Sequence, residues 1–77
     1  MAEEQLSGLR ERILDRVETL RKHPPWQGQK EPYLAHLKLG HRRLIEGSYK
    51  IIYRIADELI YVTDIFDSRQ DPRNMRG

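Results

Sequence analysis

Two stretches, Arg42-Arg-Leu-Ile-Glu46 through Tyr49-Lys-Ile-Ile-Tyr-Arg-Ile55 and Leu59-Ile-Tyr-Val-Thr-Asp-Ile-Phe66, constrain this chain more than anything else in it. They are rich in β-branched and aromatic residues, the types that fill a pleated, half-buried surface. Gly47 interrupts the first run, and Ala56-Asp57-Glu58 separates it from the second. Strands are therefore expected near 42–46, 49–55 and 59–66. Connectors this short force sequential strands to lie antiparallel, so the three should form a meander. With a three-residue second turn, Tyr53 would face Tyr61 and Lys50 would face Asp64, and a slip of one residue would change those pairs.

A sheet of three strands needs one face covered, and residues 3–22 offer the cover. Leu6, Leu9, Ile13, Val17 and Leu20 recur every three or four positions, which lines them up on one side of an amphipathic helix, with Leu14 widening the stripe. Arg21 and Lys22 suit the negative C-terminal end, and Pro24 disfavours helical geometry at His23, so the helix should end there. Ser7 before Gly8 offers an alternative, later start. Three prolines and a glycine between Pro24 and Pro32 bar regular structure and make 23–41 a connection, in which Tyr33 to Leu39 suits either a helical turn or the start of a strand. After Phe66 the Asp and Pro residues of 67–77 suggest turns. The expected fold class is α+β, a single domain over residues 1–77 with the helix packed on the meander.

Composition narrows the function classes. A chain of 77 residues buries only about 60% of its unfolded surface, so its stability alone should be modest. Cysteine is absent, which removes a disulfide framework and thiolate metal sites and points to the cytoplasm. No apolar run approaches the roughly 20 residues of a membrane span, and the acidic N-terminus does not resemble a signal peptide. Residues 1–23 balance five acids against five bases, whereas 36–54 set Lys38, Arg42, Arg43, Lys50 and Arg54 against Glu46 alone, with His36 and His41 nearby. That excess suits phosphate or an acidic protein. His23, His36 and His41 lack the paired spacing of a zinc site, and Asp64, Asp67 and Asp71 read more simply as one sheet charge and two turn residues.

The order of these parts resembles a known family. A helix ending in a proline loop, then Arg-Arg-Leu-Ile-x-Gly-x-Tyr-Lys-Ile-Ile-Tyr-Arg-Ile, a short acidic turn and Ile-x-x-x-Asp-Ile-Phe-Asp-x-Arg-Gln-Asp-Pro is similar to bacterial toxins of the RelE/ParE superfamily, made beside an antitoxin that neutralises them. Members usually begin with one further strand and one further helix. The resemblance thus implies a shortened member, with an unpaired sheet edge and a bare helix stripe that invite a partner or a second copy.

What the resemblance implies for function divides in two. One branch cleaves messenger RNA on the ribosome without a metal or other cofactor, using cations to hold the scissile phosphate and an acid or base to move protons. Lys50 matches a phosphate-holding position, Arg69 a second basic position, and Arg43 would add charge. A Tyr near the C-terminus often serves as acid or base there, and this chain has Met75 instead. The other branch poisons DNA gyrase through protein contact and needs no catalytic group; the arginines between Arg69 and Arg76 suit it. A third possibility is an inactive module that only binds antitoxin. The partner-facing surface is expected to share Leu9, Ile13, Val17, Leu20 and Ile52 with the core. Against each functional role stands a plainer one: a cation on a short sheet is commonly a solvated charge that blocks edge pairing, Trp26 can simply lie over a core edge, and Tyr49, Tyr53 and Tyr61 can be sheet packing.

Overall fold

The computed structural model describes residues 2–22 and 28–77, with side chains from residue 8 onward. Helix α1 spans Ala2–Lys22. Strand β1 (Gln29–Lys30) follows, then a 3₁₀ helix at Pro32–Leu37, strands β2 (Arg42–Glu46), β3 (Tyr49–Ala56) and β4 (Leu59–Asp67), and a second 3₁₀ helix at Pro72–Asn74. The architecture is α+β. The sheet is antiparallel, in the order β1-β2-β3-β4.

The sheet thus has four strands where three were expected. The added strand lies inside the segment read as a connection, because two residues are too few for any periodicity to show. Gln29 pairs with Arg43 and Lys30 with Arg42. Gly28 makes this possible: its N–H donates to the Tyr53 hydroxyl at 3.0 Å, and its carbonyl accepts from Arg42 Nη1 at 2.7 Å. A Cβ on Gly28 would lie 2.5 Å from the Arg43 carbonyl oxygen and 2.5 Å from the Tyr53 hydroxyl, so no side chain fits. Of the two readings of Tyr33 to Leu39, the helical turn is the one formed. Residues 23–27, including Trp26 and the end of the helix at His23, lie outside the described residues, as do the side chains of Leu6 and Ser7.

The hairpin register differs from the three-residue expectation. Only Asp57 and Glu58 form the turn, both with positive φ (53° and 65°), and Ala56 pairs with Leu59. Two left-handed residues give the twist a tight hairpin needs, although Glu is an uncommon choice there. Tyr53 consequently pairs with Val62 and Arg54 with Tyr61. A bulge then leaves Thr63 unpaired, so that Ile52 meets Asp64 and Lys50 meets Phe66. The shorter turn shifts the register by one and the bulge by one more, so Lys50 sits two positions from its expected neighbour.

Strand alternation separates two apolar clusters. On one face Leu44, Ile51 and Tyr53 pack with Leu20 of α1, joined by Ile13, Val17 and Ile60. On the other, Ile52 and Phe66 pack with Leu34 of the first 3₁₀ helix and Met75 of the C-terminal segment. Helix α1 lies against β2, where Arg12 and Arg16 reach Glu46 at 3.1 and 3.9 Å. These exposed ion pairs add at most about 1 kcal/mol, so the helix is held chiefly by its buried stripe.

The C-terminal segment, read as a tail of turns, is therefore half of the second core. Met75 is 7% exposed. Arg76 donates its N–H to Asp64 Oδ2 at 3.1 Å, and its carbonyl accepts from the Thr63 hydroxyl at 3.1 Å. Thr63 is the residue that the bulge frees. Met75→Ala should accordingly cost about 2–5 kcal/mol in urea unfolding; a loss below about 0.5 kcal/mol would show that residues 71–77 do not pack as described.

Candidate functional site

Three arrangements carry chemistry, and the first is built on Glu31. Its side chain is fully buried, and it stands immediately before Pro32 as the cap of the 3₁₀ helix, accepting from the Tyr33 N–H at 3.4 Å. Its Oε2 accepts from Arg43 Nη1 at 3.0 Å and from Lys50 Nζ at 3.5 Å. Arg43 on β2 and Lys50 on β3 point to the same face as Ile52. Lys50 also lies 5.4 Å from the centre of the Tyr33 ring. One buried carboxylate between two cations leaves a single positive charge, and the hydrogen bonds hold both heads inward.

Arg69 lies elsewhere. Its Nε and Nη2 grip Asp67 at 2.9 and 2.7 Å, and its backbone N–H donates to the same carboxylate at 2.9 Å. Asp67 pairs with Tyr49, next to the Lys50–Phe66 pair, so alternation puts it on the opposite face from Lys50. Asp67 chiefly, and then Tyr49 beside the guanidinium, favour the charged form of Arg69. The structure thus brings Lys50 and Arg43 together and keeps Arg69 apart. A cavity of about 530 Å³ opens here, lined by Tyr49, Asp64, Asp67, Gln70, Asn74 and Arg76 among others. Asp64, expected as a sheet charge, accepts from the Arg76 main-chain N–H.

The third arrangement is apolar. Because α1 covers β2, the β4 side of that sheet face stays open, and a groove of about 380 Å³ runs between Leu9, Arg10, Ile13 and Leu14 of the helix and Tyr49 and Ile65 of the sheet. Leu14 is 57% exposed, and Val62 and Ile65 are about two-fifths exposed. Of the residues expected to meet a partner, Leu9, Ile13 and Val17 are half-buried, whereas Leu20 and Ile52 lie wholly inside the two cores. A residue of the inner stripe whose area is already spent on the sheet has none left for a second chain. Among the described residues, the outer edge of β4 pairs with no strand.

Sequence reasoning passed over Glu31. A Glu directly before Pro is a capping signal, and that alone could have drawn attention to it, but no local pattern tells that cations two strands away will turn toward it. His41 drew notice only as one of the histidines near the basic segment that lack the spacing of a zinc site. It is 3% exposed, neither ring nitrogen has a hydrogen-bond partner, and burial together with the nearby Arg54 pushes its pKa down. Met75 stands where a family Tyr was looked for, and its contacts are those of packing. Among the described residues no group of three or more His, Cys, Asp or Glu could hold a metal ion. No helix of the described residues is long and apolar enough to cross a membrane.

Compared with known proteins, residues 3–72 match the family described as the ParE toxin of the type II toxin-antitoxin system parDE. No curated protein and no solved structure matches the chain.

The Arg69 pair makes a measurable statement about pH. Hydrogen bonds from its guanidinium and backbone, with the adjacent charge, hold the Asp67 carboxyl down at about 2. A carboxyl depressed in the folded state contributes stability that is complete above its unfolded value and is lost as pH falls through the folded one. The Asp67–Arg69 contact should therefore persist at pH 3 and break as pH falls toward 2. Carbon-13 titration of the carboxyl checks this: Arg69→Ala should return Asp67 toward its ordinary value of 3.8, and an unchanged midpoint would contradict the assignment.

Proposed function

Because this chain belongs to the ParE toxin family of type II toxin-antitoxin systems, we propose that it arrests growth in the cytoplasm by contacting and poisoning DNA gyrase, and that a cognate antitoxin silences it. The observation that favours contact over RNA cleavage is the commitment of the cations. Lys50 and Arg43 share the buried Glu31, and Arg69 is held by Asp67. A phosphate would have to displace a carboxylate at each place, and releasing the buried one leaves an uncompensated charge inside the protein. Where ribosome-dependent members carry a terminal Tyr this chain has Met75, whose contacts are those of packing.

A recognition surface remains in the exposed cations of the C-terminal region. Arg73 pairs with Asp71 at 2.6 Å yet keeps 90% of its side chain exposed, and Arg76 lies outward, both carried by a segment fixed through Met75. The antitoxin, in turn, suits the apolar groove at Leu9, Ile13 and Ile65, with Val17 continuing the helix stripe beyond it. An amphipathic segment laid there would remove the exposed Leu14 and Ile65 from water, and each fully covered side chain contributes about 1.5–3 kcal/mol.

Removing residues 69–77 would take Met75 from the core, so point changes test the reading better than truncation. The purified chain should inhibit gyrase supercoiling, Arg73→Glu with Arg76→Glu should weaken inhibition at least tenfold, and messenger RNA in a translation extract should stay intact. Message cleaved by the chain and spared by Arg69→Ala would overturn the proposal in favour of the ribonuclease. Neither activity, together with retention of the small protein encoded beside it, would leave an interaction module.

A further inference from the structure

We propose that residues 71–77 form an acid-released strap: protonation of His41 beneath it drives the strap off and bares the apolar face of Leu34, Ile52 and Phe66. The proposal begins with an unsatisfied group. A neutral imidazole carries one donor and one acceptor, and both ring nitrogens of His41 are buried without a partner. A second proton there would add a charge in a place that offers neither water nor a hydrogen bond, which is among the costlier things a small protein can bury.

What seals the ring is the strap. A Cβ on Gly77 would lie 2.9 Å from His41 Nε2 and 2.5 Å from Leu37 Cδ1, so the backbone at Gly77 closes directly over the imidazole. Upstream, Arg76 is tied to Asp64 and Thr63 through its main chain, and Met75 fills the space between Leu34 and Phe66. The strap starts from a turn in which Asp71 accepts from the Arg73 N–H and guanidinium. None of these ties is to His41. The ring gains room and water only when the strap lifts.

Burial disfavours the protonated ring, and the Arg54 charge on β3 acts in the same direction. From β2, the adjacent Arg42 is a further cation, as are Arg73 and Arg76 on the strap, and the 3₁₀ helix carries His36. The carboxylates are engaged: Glu31 with Arg43 and Lys50, Asp64 with the Arg76 N–H, and Asp71 with Arg73. A His held neutral in the closed form makes the closed form strongest above the ordinary value of 6.5 and weaker as pH falls below it, because the open form takes up the proton.

The experiment follows the full chain by NMR from pH 7.5 to 5.0. Amide exchange at Arg76, corrected for its intrinsic pH dependence, should lose protection by up to about tenfold per pH unit below 6.5, the slope for one linked proton. The Met75 methyl should move toward its unpacked shift with the same midpoint as the His41 ring. His41→Phe, which keeps the ring and removes the titration, should flatten both curves. A wild-type strap that stays closed while His41 titrates, or opens at a midpoint unlike that of His41, overturns the proposal, and this arm needs no variant to fold. Equal opening in His41→Phe and the wild type overturns it as well. Because no readout involves gyrase, RNA or antitoxin, the outcome is independent of the toxin reading.

Discussion

The buried carboxylate of Glu31 is the constraint on which the sheet's second face depends. It caps the 3₁₀ helix that brings in Leu34, and it draws in Arg43 from β2 and Lys50 from β3. Its backbone N–H donates to the His41 carbonyl at 2.9 Å, which joins the segment before the helix to the segment after it. With the carboxylate gone, Arg43 and Lys50 would lose the anion between them and set two positive charges beside an apolar layer. A buried ion triad of this kind rarely adds net stability over an apolar replacement, but it is costly to break and therefore specifies one arrangement.

The same triad changes the meaning of the basic segment. An excess of Lys and Arg on a small sheet suggests an anion site so long as only the sequence is considered. In the folded chain two of those cations face inward to Glu31, Arg54 lies 4.7 Å over the Tyr61 ring, and the candidate cation farther on is gripped by its neighbour Asp67. The net charge is unchanged, yet little of it is available at one point. What the fold leaves exposed is a pair of surfaces instead: an apolar groove beside α1 and a C-terminal segment that carries Arg73 and Arg76.

Those surfaces depend on the two-layer packing. Helix α1 shields the β2 and β3 side and leaves the β4 side open, which creates the groove. The C-terminal segment closes the opposite face and is anchored where the bulge frees Thr63. A bulge also bends an edge strand away from flat pairing, so the edge of β4 that pairs with no strand among the described residues, nine residues long and carrying Leu59 and Val62, is partly guarded against uncontrolled strand addition.

The sequence alone determined the elements whose signals are local. Apolar spacing marked the helix, β-branched runs marked β2, β3 and β4 to within a residue, and Gly47 marked the first turn, because periodicity and turn preference act over a few neighbours. The order of these parts was enough to reveal the family. Only the tertiary structure decided which cations are paired, that Leu20 and Ile52 are spent on the core, that β1 forms around Gly28, and that Met75 packs rather than reacts. Each of these rests on contacts between residues far apart in the chain, and such a contact depends on register: the two-residue turn at Asp57-Glu58 and the bulge at Thr63 together moved the partner of Lys50 by two positions. Local chemistry sets the strands, but the carboxylate or side chain that each residue finally meets is set by how the strands align.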